Sequence, residues 1–533
     1  MTIVSRHVLS IAAILFVGSA AFAQDKSLRN RIDEHITKGW AEQKITPAKA
    51  SDDANFLRRV YLDLIGTIPS YEETKSFLAD TNVDKRPKLI DRLLDDPRYA
   101  DQQADIWQNV LISRTPLNPE ASRSRSGFQK WLHGKFASNE PLDRWVKEVL
   151  LAEGNSQDQG PPLFYAQFRA LPEETAVAVT RIFLGTQLAC AQCHDHPSDN
   201  WTQRDFYGMA AFFARLVMID AGGGMNNKKF VIGERRTGEV LFTGPAIEQK
   251  PGQKGEPVYA KFLGGKALIE PPVPKGFQEE KKGTPKSLPK PDFSRKEKLA
   301  EWLAAADNPY FARAMANRLW GQFLRRGIVH PVDNLSEKNQ ASHAELLDLL
   351  AKEFVAHKFD IKWLVRELMN SKTYQLSSIG SEKEPLAFEQ MPLRPLREIE
   401  MINALRVAGD WGSDSLPASL DNQMRRVFGD AVDGRGEFQA SLTERLFVNN
   451  SQLFRSAITK KQGGLWHRIH FAKEPVSQRV DQVFLSVLNR IPDADERTRF
   501  AAHLSKGSIA ASDTTVEEAI WALLASAEFR FNR

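Results

Sequence analysis

The residues Cys190-Ala-Gln-Cys193-His194-Asp195-His196-Pro197 hold the only two cysteines in the chain. Cys-x-x-Cys-His is the spacing of a c-type haem attachment site. Thiols at this separation add across the two haem vinyl groups, and the imidazole that follows becomes the proximal iron ligand. Cys190 and Cys193 are therefore assigned to thioether formation and His194 to the haem iron. His196, two residues on, is a secondary metal candidate that could instead meet a propionate or a substrate. Asp195 could orient a histidine ring through Nδ1. Candidate distal ligands are Met209, Met218, Met225, His330 and His343. A sixth ligand favours electron transfer, and an open iron favours peroxide or oxygen chemistry.

Two other readings of the same residues stand beside haem. Cys190, Cys193, His194 and His196 supply enough donors for zinc or another divalent metal, although structural zinc usually draws its ligand pairs from separated segments. Cys190 and Cys193 could also form a redox or structural disulfide. A thioredoxin-like site, however, opens a helix after a strand, and here a helical pattern precedes the motif. Haem ranks first, metal second and disulfide third.

The element that must position these groups is the pattern starting at Pro172-Glu173-Glu174 and running through Val177, Val179, Ile182, Phe183 and Leu188. Acidic residues in its first turn suit the positive end of a helix dipole. A helix continued through the motif would place Cys190 and His194 on one face at i and i+4, until Pro197 stops it. Trp201, Phe206, Tyr207, Phe212 and Phe213 follow and either wall a haem or fill a core.

The N-terminus bears on the haem reading. Arg6 and His7 precede the apolar run Val8 to Val17, which ends in Ala21-Phe22-Ala23. This is the layout of a secretory signal peptide, with cleavage predicted after Ala23. The run falls short of the ~20 residues a membrane span needs. The expectation is an exported protein of the periplasm or cell envelope, without a membrane span after cleavage. Covalent haem attachment takes place in that compartment.

Of 533 residues, 42% are hydrophobic and 26% charged, which is ordinary for a globular protein. The net charge of +5, or +4 without Arg6, is too small over this length to indicate nucleic-acid binding. Two cysteines make no disulfide framework, so folding must rest on apolar burial. No Ser-His-Asp motif, P-loop or Rossmann glycine pattern is present, and the acid pairs Asp52-Asp53 and Asp95-Asp96 sit where helix caps are expected.

Helical spacing recurs along the chain. It covers Phe56 to Ile65 after Ser51-Asp52-Asp53, a helix opened by Ser70 with Glu72 and Glu73, Lys88 to Leu94, Ile106 to Leu111, Phe128 to Phe136 and Pro141 to Leu151. Gly154 to Pro162 reads as a polar loop. From Ala221 to about Pro291 Gly, Pro and Lys accumulate, with short strands at Phe230–Ile232, Glu239–Phe242 and Val258–Ala260. Helices resume at Ser294 and continue past Phe311–Phe323, a helix Leu346–Phe354 capped by Ser342, and Ile361–Met369. They extend through Leu396–Val407, Ser441–Phe454, Val476–Leu488, Ala494–Leu504 and Val516–Ala525. The fold class is mainly α: two multi-helix domains, residues 24–220 and 293–533, with a small β-rich insert at 221–292. Arg58–Glu73 and Arg479–Glu496 echo one another as helix, break, Ile-Pro and acidic helix start, a style common to many helix-turn-helix corners.

The stretches FLRRVYLDLIGTIPSYEE, LACAQCHDHPSDNWTQRDFYGMAAFFA and NPYFARAMANRLWGQFLRRGIVHPVDN, with RVDQVFLSVLNRIPDADER near the end, resemble a co-occurring pair of domains of unknown function. These occur in exported, cytochrome-like proteins of planctomycetes and related bacteria. The resemblance covers about Arg31 to Arg533 and implies compartment and architecture; His196 and Pro197 match residues typical of it. Where relatives have PSHPELL, this chain has Ala341-Ser342-His343-Ala344-Glu345-Leu346-Leu347.

Three functions remain. The first is an exported haem protein passing electrons, with a redox partner protein. The second is an envelope enzyme, either haem-based or a metal-assisted hydrolase acting on polysaccharide. The third is a non-catalytic envelope binding protein in which the motif is a staple.

Overall fold

Local signals set the helix ends. Asp52 accepts the Asn55 amide at 2.7 Å and starts the helix Asp53–Ile65. Gly66, at φ 65°, ends it, a left-handed position that glycine takes at no steric cost. Ser70 and Glu73 then form a full capping box at the head of Tyr71–Ala79. The same device recurs far along the chain. The helix Val476–Val487 ends near Asn489, at φ 59°, and Asp493 with Glu496 caps Ala494–Leu504. The two corners touch: Asn489 Nδ2 donates to the Pro69 carbonyl at 2.9 Å, and Arg58 donates to Asn489 Oδ1 at 2.7 Å. The sequence echo is thus a contact in space.

The computed structural model describes residues 26–222, 229–244, 255–278, 288, 290–380, 385–412, 416–428, 442–459, 462–507 and 514–533. The predicted signal peptide, Met225 and Ser441 lie outside them. Among the described residues there are twenty-four α-helices and seven short strands, so the chain is mainly α. The helices that escaped the sequence reading include Leu28–Gln43, Ala418–Val427 and Leu465–His470. The first has an apolar stripe, Leu28, Ile32, Ile36 and Trp40, at intervals of four. The predicted helix Ser441–Phe454 is two helices, Leu442–Asn450 and Gln452–Thr459. Ser342 does not cap Ala344–Ala356; its hydroxyl donates to the Ile328 carbonyl instead, and His343 holds the N-cap position without a side-chain capping bond.

The strands expected at 230–232, 239–242 and 258–260 form as Phe230–Glu234, Val240–Phe242 and Glu256–Val258. Phe230–Glu234 is central in an antiparallel sheet, flanked by Leu216–Asp220 and by Gly154–Asn155. Gly154 therefore opens an edge strand rather than a loop, followed by a short helix Ser156–Gln159 capped by Asn155.

Buried apolar residues sort into two cores. The larger runs from Leu28 to Met391 and includes Phe230, Ile232, Val240, Ala260 and Leu263 from the β-rich segment. The smaller runs from Leu396 to Phe529 and takes in Leu62 and Ile68. The division of the core thus falls between Met391 and Leu396. Helices 295–369 bury their apolar faces with the N-terminal helices, and the β-rich segment does not separate the cores.

Charged residues stitch the two cores together. Asp63, nearly fully buried, accepts from Arg325 at 2.7 and 2.8 Å, from the Tyr374 hydroxyl at 2.8 Å and from Asn532 Nδ2 at 2.8 Å. Glu400 accepts from Arg394, Arg397 and Gln102. Arg59 donates to the carbonyls of Tyr374, Leu376 and Arg533. Burial lowers the Arg58 guanidinium to about 9 and that of Arg59 to about 10. Burial alone would raise the Glu400 carboxyl, but Arg394 and Arg397 hold it far below the usual range.

Candidate functional site: the Cys190–His194 turn

The helix that leads to the motif, Pro172–Phe183, stops seven residues before Cys190. Gly185 turns the chain at φ 65°. A Cβ there would fall 2.4 Å from Leu335 Cδ1 and 3.2 Å from Ala314 Cβ, so the position needs glycine. Leu335 N–H also donates to the Gly185 carbonyl at 2.7 Å. This corrects the expectation of a helix through the motif with Cys190 and His194 at i and i+4 on one face. Ala189–Gln192 forms a 3₁₀ turn instead. The reason is local packing: Gly185 docks against Leu335, and the chain re-enters the core through Leu188 and Ala191.

That alternation decides what is presented. Leu188 and Ala191 are buried, whereas Cys190, Cys193 and His194 are exposed. Both thiols are free. The turn is held mainly through its backbone and by the following helix, Gln203–Ala210. The Gln192 carbonyl accepts from Gln203 Nε2 and from the Tyr207 hydroxyl, both at 3.2 Å. Asp195 Oδ1 accepts the Gln203 amide at 2.9 Å. The His196 amide donates to the Trp201 carbonyl at 2.8 Å. Thr202 and Asp205 close a capping box on the supporting helix.

His194 Nδ1 lies 2.7 Å from the Asp195 carbonyl oxygen. A carbonyl can only accept, so Nδ1 carries a proton, and in the neutral ring Nε2 is the nitrogen with the lone pair. The orienting group is thus the backbone of Asp195; its carboxylate serves the loop. His196 is half-buried, and its Nδ1 accepts the Ser198 amide at 3.3 Å. Its ring is engaged by its own loop.

The aromatic residues after the motif divide. Phe206, Phe212 and Phe213 are fully buried core. Trp201 and Tyr207 are half-buried and pack on Tyr310 and Phe242 respectively. Burial, then the neighbouring Glu173 and Cys193, push the Tyr207 phenol up. Of the distal candidates, three have contacts elsewhere in the fold, and Met225 lies outside the described residues. Met209 is core, and Met218 lies in a strand beside Asn118. His343 packs on Phe388 and against Gly39, where a Cβ would meet Nε2 at 2.7 Å. Among the described residues no group of three or more His, Cys, Asp or Glu is placed to hold a metal ion.

A groove of about 270 Å³ lies beside the turn, lined by Val177, Arg181, Gln187, Ala189, Pro331 and Asp333. It is below the ~300–1,000 Å³ of ordinary ligand pockets. The turn therefore offers its chemistry on a surface.

Residues 31–217 match the family model described as PSCyt2, protein of unknown function (DUF1549), and residues 295–408 match PSD1, protein of unknown function (DUF1553). The chain carries the PSCyt2–PSD1 pair of domains. This is the pair that the sequence resembles, and the Cys190–His194 turn lies in its PSCyt2 region. The PSD1 region crosses from the larger core into the smaller one. No curated protein and no solved structure matches the chain. Among the described residues no helix is long and apolar enough to cross a membrane.

Proposed function

We propose that Cys190, Cys193 and His194 attach a c-type haem and that the protein is exported and carries electrons to or from a redox partner protein. The observation that supports this most is the state of the three side chains: two free, exposed thiols and an imidazole whose Nδ1 proton is committed to a carbonyl. The donor set fits the group. Each thiol would add across one vinyl group, the sulfur bonding to one carbon and the proton passing to the other. A hydrogen bond at Nδ1 fixes the ring and its tautomer, as expected of a histidine that ligates iron. The bound group would supply one-electron transfer. Exposure of the turn suits exchange with a partner, because it leaves the edge of the site open to contact.

The test is expression of the full chain with a cytochrome c maturation system. The expected result is a Soret band, haem stain that survives denaturation, and a mature N-terminus at Gln24. Cys193→Ala should lose one thioether, and Cys190→Ala with Cys193→Ala should lose covalent haem altogether. A wild-type protein exported and folded without covalent haem would overturn the proposal.

A further inference from the structure

A second cleft lies away from the motif, where the helices Pro97–Leu111 and Arg125–Ala137 of the larger core face Glu398–Ala408 and Ala418–Val427 of the smaller one. It has a volume of about 800 Å³, within the ~300–1,000 Å³ of small-molecule sites. Five arginines line it (Arg98, Arg114, Arg125, Arg406 and Arg425), with three acids, Asp101, Asp105 and Glu398; behind the wall Asp96 pairs with Arg98 at 2.6 Å and Asp421 with Arg425 at 2.9 Å. No Trp, Tyr or Phe lines it among the described residues.

The acids are already engaged. Asp105 pairs with Arg397 at 3.3 Å, and Asp101 with His133 at 3.4 Å. Glu398 lies between two guanidinium groups, 3.9 Å from Arg114 and 3.7 Å from Arg425, too far for a closed bidentate pair with either. Arg125 is fixed from behind, donating to the carbonyls of Ile112 and Ser113 and to Asn109. Burial, and next the charge of Arg114, pull its guanidinium below the ordinary value. Arg114 and Arg425 thus flank one carboxylate at the wall of the cleft. Guanidinium forks match tetrahedral oxyanions bidentately, and a cleft with polar walls and without aromatic faces suits a charged ligand better than a flat apolar one.

We propose that this cleft binds a small polyanion carrying phosphate or sulfate groups, at a site separate from the Cys190–His194 turn. The test is calorimetric titration of the full mature chain with inorganic pyrophosphate, with a sulfated disaccharide and with the same disaccharide unsulfated. One-to-one binding of a charged probe, weakening as salt rises, is expected; which of the two binds tighter separates a phosphate from a sulfate source. Arg114→Gln with Arg425→Gln should weaken it at least about tenfold, since each loses charged hydrogen bonds to the ligand. Arg204→Gln, on the helix beside the motif, should leave it unchanged. The urea midpoint of the double variant verifies folding, and the single variant Arg406→Gln replaces it should it fail to fold. Binding of neither charged probe, equal binding of the unsulfated sugar, or wild-type affinity in the folded variant would overturn the site. The Soret band of the same samples reports the haem reading independently.

Discussion

The Cys190–His194 turn and the Asp63–Glu400 junction are opposite ways of using reactive side chains. At the turn, thiols and an imidazole stand exposed, and mainly backbone bonds and buried Leu188 and Ala191 hold the loop. At the junction, carboxylates and guanidiniums are buried and bonded to one another, Asp63 to Arg325 from far along the chain and Glu400 to the nearby Arg394 and the distant Gln102 amide. Side chains that support nothing in the fold are free to react. Buried charges that have been desolvated cannot be removed singly without a large cost. The two regions should therefore respond oppositely to substitution.

The largest effect is expected at the junction. Asp63→Ala leaves Arg325 buried without its carboxylate and should cost about 3–5 kcal/mol, a large share of the ~5–15 kcal/mol of a typical domain. Urea unfolding of the haem-free chain measures it. Cys190→Ala with Cys193→Ala, in the same assay, should stay within about 0.5 kcal/mol. A cysteine variant that loses more stability than Asp63→Ala would end the contrast.

Gly185 joins the two regions, because it ends the helix that delivers the turn. Gly185→Ala should cost about 1–3 kcal/mol from strain at positive φ and from the clash with Leu335. It should also lower haem incorporation while sparing both thiols. Unchanged incorporation at reduced stability would show that the turn keeps its shape without this support.

Acid should separate the regions as well. Glu400 has a folded-state value far below its ordinary 4.5, so its contribution is present above pH 4.5 and lost as pH falls below it. Denaturant midpoints recorded from pH 6 to pH 3 should fall in that lower range, and Glu400→Gln should flatten the fall. The smallest effect belongs to His343. Burial, then the nearby His35, lower its value from 6.5. The unfolded chain therefore binds the proton more readily, and stability present above pH 6.5 declines as pH drops below it. A slight loss between pH 7 and pH 5.5, absent in His343→Gln, checks this.

Much of the helical layout was legible because it rests on short-range rules. Asp52, Ser70 with Glu73, and Asp493 with Glu496 cap helices as their spacing indicates, since a cap needs residues only three apart. Gly154–Asn155 was not legible as a strand, because its partner, Val231–Ile232, lies more than seventy residues away. The continuous helix through Cys190 failed for a related reason. Its apolar spacing persists to Leu188, but Leu188 is buried by a chain that has already turned at Gly185.

By itself the sequence determined the donor set of the turn, the mainly helical class and the resemblance to the PSCyt2–PSD1 pair, all properties of residues near one another in the chain. The tertiary structure alone decided three things. It split the cores at residues 391–396, exposed the thiols on a 3₁₀ turn and brought the arginines of four helices around one cleft. Apolar burial and charge pairing do not depend on separation along the chain, so no local pattern records which distant helices they will bring together.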